Sequence, residues 1–567
     1  MARFKPRARN LPGWLLLVAA LAPGVYFRIT DLSGQGPRLW DEGIYLQEAR
    51  FLYTLTQAVW DSAVLKGREA VTREDLWKKD EQIAALGRRI RGAPPIFGRV
   101  THDATLALGM LVWGPQDAAV GARVNALTGI LSLFLLYGLA RRLYGSRAAF
   151  FATLVFSLMG YHIHYCRSTM AETTTVAFLI AAFHFYAASR TLREHRSSRS
   201  LALAALLLGL AFTTHNRMIV AWGLFVLLEA RFWICGPAPV RLRRFAAFHV
   251  FFLLPLVAWE LPYYLAFLAT KHMNIVVSAP TYFEQVVVAL GRSALWGYIS
   301  KAYRLDGFLT FPYLMAVSCG VLPLALAAAG LVAGLRRRSP ADLLVASWFL
   351  LPYCLYSFTT AGLARVFTVL LPAAALLAGS LWADGSKEPW FPRIRAGAGP
   401  FWVQTAAVVL LLGNGLYFGW RSARSEDGYA EVAERLRARG EEGIVTTNVP
   451  VLEVYCGQER VANVPPASRQ ELEALFENGH RYYVIDCNRQ LYAWFQKERV
   501  EVMDAVAAAA APVTIVPNPF VRDPLTLFEA NLFFWDTLRL QGEVERLALD
   551  RIEVYDFGQL FQPHPGP

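Results

Sequence analysis

Eleven apolar runs punctuate the first 420 residues, each close to the length needed to cross about 30 Å of hydrocarbon as a helix. They fall near residues 12–28, 118–140, 148–165, 170–189, 200–214, 217–235, 246–269, 311–335, 342–360, 365–383 and 401–420. A weaker stretch at 103–114 reads as a twelfth span or an interfacial helix. No water-soluble core hides that many apolar segments, so lipid must solvate them. Composition agrees: 55% of the 567 residues are hydrophobic and 18% charged, where a soluble chain carries about 25% charged. The expectation is a polytopic α-helical membrane protein with about 11 transmembrane helices.

The net charge of +12 suggests a nucleic-acid partner until it is divided. Residues 421–567 hold 15 Lys and Arg against 23 Asp and Glu, a net of −8, which leaves 41 against 21, or +20, for the rest. That basic excess sits between apolar runs, where membrane topology explains it and no nucleic acid is needed. Alternate loops collect the positive charge: Arg3, Lys5, Arg7 and Arg9; Arg141, Arg142 and Arg147; Arg190, Arg193, Arg196 and Arg199; Arg231, Arg241, Arg243 and Arg244; Arg336, Arg337 and Arg338; Lys387, Arg393 and Arg395. A cytoplasmic N-terminus puts every one of these inside, and the C-terminus outside. The loop 29–102 falls outside yet carries Lys66, Arg68, Arg73, Lys78, Lys79, Arg88, Arg89 and Arg91; loops longer than about 60 residues escape the rule. Ala20 and Ala22 give the first run a signal-peptide flavour, and cleavage there would leave the outside loops outside.

After Trp420 the texture changes to short strands (GIVTTN, RYYVIDC, VTIVP, RIEVYDF) alternating with helices near 427–439 and 468–478. This predicts two parts: a membrane part over 1–420, and over 421–567 a soluble extracytoplasmic α/β domain around a short mixed sheet. Phosphate-binding loops, dinucleotide fingerprints, H-E-x-x-H and Asp-x-Asp are all missing, which argues against a nucleotide-driven motor or a dinucleotide enzyme.

Asp41 and Glu42, in RLWDEGIYLQEARFLYTL, stand just beyond the outer end of the first span. The helix after them places Ile44, Tyr45, Phe51, Leu52, Leu55 and Val59 on one arc and Gln47, Arg50, Thr54 and Gln57 opposite, so it should lie flat in the membrane interface. The acidic pair either caps this helix, a role worth roughly 0.3–1 kcal/mol, or does chemistry; a carboxylate fixed at a helix start can do both. In HIHYC, His162 and His164 point about 200° apart on a helix, which disfavours a shared metal ion. Cys456 and Cys487 are the two cysteines outside the spans, bridged or free. The stretch 272–310, with Tyr282, Trp296, Tyr298, Lys301, Tyr303 and Arg304, reads as an interfacial helix, either a lid or an anchor.

Several stretches, in order, resemble the GT-C glycosyltransferases, in the branch of protein O-mannosyltransferases and lipid A aminoarabinose transferases that use polyprenyl-phosphate sugars. WDEGIY resembles the family's first-loop Asp-Glu motif, GARVNALTGILSLFLLYGLARRLYG its second span, and YHIHYCRSTMAETTTVAFL its Ser-Arg-x-x-x-x-acidic segment. GLAFTTHNR and LARVFTVLLPAAALLAG resemble later landmarks, and the likeness runs over about residues 10–420. At THDATLALGML, relatives often carry Pro-Pro after a His or Lys; His102 matches the basic position, but Asp103 and Ala104 replace the prolines.

The resemblance implies transfer of a sugar from a polyprenyl-phosphate donor to an acceptor protein, lipid or glycan in the cell envelope. Asp41 would be the general base, with Glu42 orienting the base or acceptor. It makes Arg365 the leading ligand of the lipid phosphate, with snorkelling from the span end as the alternative. His102, Arg123, Arg167, Glu172, His215 and Arg217 complete the candidate donor site; Arg123 could instead pair with a buried acid, Arg167 and Glu172 with each other, and His215 to Arg217 could simply be a turn. A divalent cation between Asp41 and phosphate is compatible with this picture, though no ligand set demands one. The rival classes are a membrane transporter or lipid flippase, and a non-catalytic scaffold. A prokaryotic inner membrane is the expected location.

Overall fold

A computed structural model of the chain describes residues 13–66, 98–191, 194–235, 238–270, 281–284, 287, 305–359, 363–383, 399–424, 427–440, 442–529 and 534–561. The basic residues 68–91, the loop at 387–395 and most of the 272–310 stretch, including Trp296, Tyr298, Lys301, Tyr303 and Arg304, lie outside the described residues.

The apolar runs form helices. In chain order these are α1 (Gly13–Ile29), α2 (Trp40–Lys66), α3 (Val100–Trp113), α4 (Val120–Tyr144), α5 (Ser146–Ser157), α6 (Gly160–Cys166), α7 (Glu172–Thr191), α8 (Glu194–Thr214), α9 (Ile219–Cys235) and α10 (Ala238–Thr270), then α11 (Gly307–Cys319), α12 (Val321–Arg337), α13 (Pro340–Thr359), α14 (Leu371–Ser380) and α15 (Gly399–Ala423). Among the described residues, α4, α8, α10 and α13 are long and apolar enough to cross a membrane, and α5 with α6, bent by 62° at their break, makes a fifth candidate. Besides the run 148–165, broken between α5 and α6, two more expected spans are subdivided. The run 311–335 breaks at Gly320, whose φ of +85° suits glycine, and Asn414 Nδ2 caps the freed Cys319 carbonyl at 2.6 Å. The run 365–383 starts as a 3-10 turn, Ala364–Leu370, before α14.

One large apolar core joins these helices, reaching from Leu21 of α1 to Leu377 of α14. Lipid-facing character shows in the exposed side chains of α10, among them Val250, Leu253, Leu254, Val257 and Leu261, which water would not tolerate as a contiguous patch.

Helix α2 departs from its expected place. Its first half is buried all round: Tyr45, Leu46, Ala49 and Phe51 are hidden, and so are Glu48 and two of the residues that the sequence put on a polar face, Gln47 and Arg50. Instead of floating on lipid with one side wet, α2 is held between α3 and α17 (Val449–Cys456). Arg50 donates to the Pro115 carbonyl at 2.8 Å, and Gln47 Nε2 meets Glu453 Oε2 at 3.4 Å, so protein partners satisfy what water was expected to satisfy.

The tail folds around four short strands, β1 (Gly443–Thr446), β2 (His480–Ile485), β3 (Pro512–Pro517) and β4 (Arg551–Asp556), in the order β1-β2-β4-β3. β1 and β2 are parallel and the other pairs antiparallel. Alternation along β2 decides the two faces. Tyr482 and Val484 pack with α16 (Tyr429–Arg439) and α17, while Tyr483 and Ile485 pack with α18 (Arg469–Glu477) and α20 (Lys497–Ala509), which follows α19 (Arg489–Phe495). Beyond β3, a single turn, α21 (Pro524–Leu527), leads back to the Ala364–Leu370 segment of the membrane part. Cys456 and Cys487 are both free thiols.

Candidate active site

The start of α2 is built from backbone donors converging on one carboxylate. Glu42 Oε2 accepts the N–H of Arg38 at 2.6 Å and of Leu39 at 3.1 Å, and its Oε1 accepts the N–H of Thr169 at 3.0 Å. Buried and fully engaged, Glu42 clamps the loop after α1 to the loop before α7. Burial pushes its carboxyl above the usual range against the pull of Arg38 and these three N–H groups. The capping role therefore belongs to Glu42, and Asp41 beside it is left to face outward.

Asp41 lines a cavity of about 280 Å³ with Trp40, Arg365, Asn488, Gln490, Thr526 and Glu529. Its Oδ2 accepts from Arg365 Nη1 in a direct ion pair. The same guanidinium reaches Glu529 Oε2 through Nε at 3.1 Å, and the Arg365 backbone N–H donates to Glu529 Oε1 at 2.8 Å. Burial alone would raise the Asp41 carboxyl, but Arg365, Arg99 and Arg217 together hold it below the usual carboxylate range. Arg99 lies 4.8 Å over the Tyr45 ring. Glu172 Oε1 stands 3.6 Å from His215 Nε2. His215 is pushed well below the usual imidazole range by burial and then by Arg99, Arg217 and Arg365, so it is a neutral ring among cations.

The structure thus brings together Asp41, Arg365, Glu172, His215 and Arg217, and holds other candidates elsewhere. Arg167 donates to the carbonyls of Phe27, Thr30 and Asp31, tying down the end of α1; it does not pair with Glu172. Arg123 pairs with Asp117, a partly exposed acid at the start of its own helix. His102 is fully buried, its Nε2 2.8 Å from the Thr169 carbonyl and its ring edge-on to Tyr45. His162 bonds Arg28 at 2.7 Å, whereas His164 stacks on Phe520, so the two point to different partners as their spacing predicts. Among the described residues no three His, Cys, Asp or Glu side chains converge as a metal cage.

Two members of the cluster escaped the sequence reading. Arg99 immediately precedes α3, and asking which Arg begins that helix would have found it. Glu529 lies 164 residues beyond Arg365, in the tail, with no motif around it. Chemically, the arrangement offers an ionised carboxylate in the lining of a cavity and several guanidinium groups near it. Such a set can take a proton from a hydroxyl and neutralise a departing phosphate.

Residues 100–259 match the family model described as dolichyl-phosphate-mannose-protein mannosyltransferase. No curated protein matches the chain. Among solved structures, the fold is similar to that of ArnT from Cupriavidus metallidurans bound to undecaprenyl phosphate, with a TM-score of 0.56 and 18% identity over 86% of this chain and 95% of that one. It is also similar to the oligosaccharyltransferase of Archaeoglobus fulgidus tethered with an acceptor peptide, with a TM-score of 0.53 and 13% identity over 87% of this chain and 72% of that one. The likeness to GT-C glycosyltransferases expected from the sequence is borne out. The matched family segment contains His102, Arg123, Arg167, Glu172, His215 and Arg217 but neither Asp41 nor Arg365.

Proposed function

We infer that this chain is a membrane glycosyltransferase that takes a sugar from a polyprenyl-phosphate donor and passes it to an acceptor hydroxyl on the extracytoplasmic face. The enzyme class and the lipid-linked donor rest on the family match and the shared fold. The site assignment rests on one observation, the Asp41–Arg365 pair lining the cavity.

In the step we propose, the acceptor oxygen attacks the anomeric carbon as the bond from that carbon to the phosphate oxygen breaks, inverting the centre. Asp41 receives the hydroxyl proton, and the lipid phosphate leaves as an anion. Arg365, Arg99 and Arg217 supply the positive charge that the leaving group needs, which in such reactions is a large share of the rate enhancement. Glu42 acts on this chemistry indirectly, by fixing the start of α2. Binding of the phosphate to Arg365 competes with Asp41 for the guanidinium. The added negative charge then makes Asp41 a stronger base when the donor is in place.

The eleven runs are the spans, the N-terminus is cytoplasmic and the tail extracytoplasmic, in a prokaryotic plasma membrane. Residues 1–420 form the catalytic membrane part, and 421–567 an extracytoplasmic α/β domain. The acceptor is a protein, a lipid or a glycan of the cell envelope. The test is mass analysis of lipid-linked sugars in a deletion strain complemented with wild-type or Asp41→Asn protein. Accumulation of one polyprenyl-phosphate sugar with the variant and its clearance by the wild type support the assignment, and equal clearance by both refutes it.

A further inference from the structure

The 3-10 turn that carries Arg365 has no cap of its own. Its first N–H groups are orphan donors of the kind every helix start must satisfy, and the tail satisfies them. The Ala364 N–H donates to the Phe528 carbonyl at 3.2 Å, and the Arg365 N–H donates to Glu529 Oε1 at 2.8 Å. The second oxygen of Glu529 forms an ion pair with Arg365 at Nε, 3.1 Å away, without hydrogen-bond geometry. Glu529 is gripped in turn by the hydroxyl of Tyr165, while Tyr161, four residues earlier on α6, donates to the Ala364 carbonyl at 2.6 Å. One carboxylate therefore fixes both the backbone and the side chain of the same arginine, with α6 behind it.

We propose that Glu529 is a positioning residue for the donor site: by accepting the backbone N–H of Arg365 and drawing its Nε edge by charge, it turns the terminal guanidinium nitrogens toward Asp41 and the phosphate of a bound lipid. The tail is on this view a part of the donor site, since it contributes the group that sets the phosphate-binding arginine. An arginine held by one edge presents its other edge in a fixed direction, which is what fork-like recognition of phosphate requires. Without Glu529 the side chain is free to turn both terminal nitrogens onto Asp41, which would close the site to an anion. This inference rests on the lipid-phosphate reading given above.

The test is a double-mutant cycle on the full-length protein, with undecaprenyl phosphate as the probe and thermal midpoint as the control for folding. Glu529→Ala is expected to weaken undecaprenyl phosphate binding about tenfold, and to add almost nothing in an Arg365→Ala background, because two residues acting as one unit are not additive. Tyr165→Phe removes only the hydroxyl behind Glu529 and keeps the experiment decisive if Glu529→Ala folds poorly. It should weaken binding about threefold, again only when Arg365 is present. A lower thermal midpoint with wild-type affinity, or equal losses with and without Arg365, overturns the role of Glu529 while leaving the glycosyltransferase reading standing. A wild-type protein that fails to bind undecaprenyl phosphate overturns both.

Discussion

Gly43 meets the backbone of Pro450 so closely that a methyl group at residue 43 would stand 2.5 Å from the Pro450 carbonyl carbon. This contact seats α2 against the tail two residues beyond Asp41. A side chain there forces the helix start away from α17, and with it the carboxylate whose position the proposed chemistry depends on. Gly43→Ala is expected to cost about 1–3 kcal/mol through overpacking and to lower sugar transfer more than it lowers the amount of folded protein. Transfer rate per folded molecule, set beside the thermal midpoint, measures the two effects separately.

Asp41→Asn keeps the shape of the side chain and removes its charge. Arg365 retains Glu529 as a counter-ion, so the variant should fold with a near-normal melting temperature. Loss of a general base lowers rates by about 10² to 10⁴, and transfer should fall within that range. Single-turnover measurement with a radiolabelled polyprenyl-phosphate sugar checks it; a fall of less than threefold would remove Asp41 from the mechanism.

The pH dependence follows from the same pair. With the folded carboxyl of Asp41 held below its ordinary value by Arg365, Arg99 and Arg217, the base stays ionised until the pH drops beneath the usual aspartate value of about 3.9. The pair's contribution to stability is correspondingly present above that value and lost as pH falls through the depressed one. Arg99→Gln takes away one of the three cations while burial continues to push upward, so the acid limb of the pH–rate profile should shift toward neutrality. An unmoved limb would show that Arg99 does not act on Asp41.

The acidic pair Asp41–Glu42 beyond a span end and Arg365 at the start of a span are local patterns in the sequence, but the roles proposed for them came from the resemblance to GT-C glycosyltransferases and not from those patterns. The strands of the tail were legible because period-two alternation in RYYVID survives without any knowledge of partners. The burial of α2 was not, since its polar residues Gln47 and Arg50 are satisfied by Glu453, Pro115 and Val454, remote in the chain, and amphipathicity alone reads such a helix as half-wet. Which of the paired acids caps the helix was likewise undecided until three backbone N–H groups were seen to converge on Glu42. Glu529 had no local signature at all, because its function comes from where the tail docks.

Glu453 offers a pH test away from the proposed chemistry. Burial raises its carboxyl from 4.5 to about 7, only partly offset by Gln47 and Arg50. A group whose folded value is raised contributes stability that is complete below the unfolded value and disappears as pH rises toward the folded one. The melting temperature of the wild type relative to Glu453→Gln should therefore fall between about pH 4.5 and pH 7 and level off above it. Thermal unfolding of both proteins across that window is the measurement, and parallel curves would contradict the assignment.

Toward the end of α9 remote in sequence from His215 and Arg217, Arg244 grips Glu229 at both carboxylate oxygens, Nε to Oε2 at 2.9 Å and Nη2 to Oε1 at 2.8 Å, with Ser197 Oγ 3.0 Å from Nη1. Both side chains are buried, so the pair ties α9 to α10 where water cannot compensate a missing partner. Glu229→Gln leaves the arginine charge uncompensated and should cost about 3–5 kcal/mol. Replacing both members by apolar residues of similar volume, Glu229→Leu with Arg244→Met, removes the stranded charge and should restore most of that stability. Thermal midpoints of the single and double variants decide between these outcomes. A double variant no more stable than the single would mean that α9 and α10 depend on the hydrogen bonds themselves, and not on the absence of an unpaired charge.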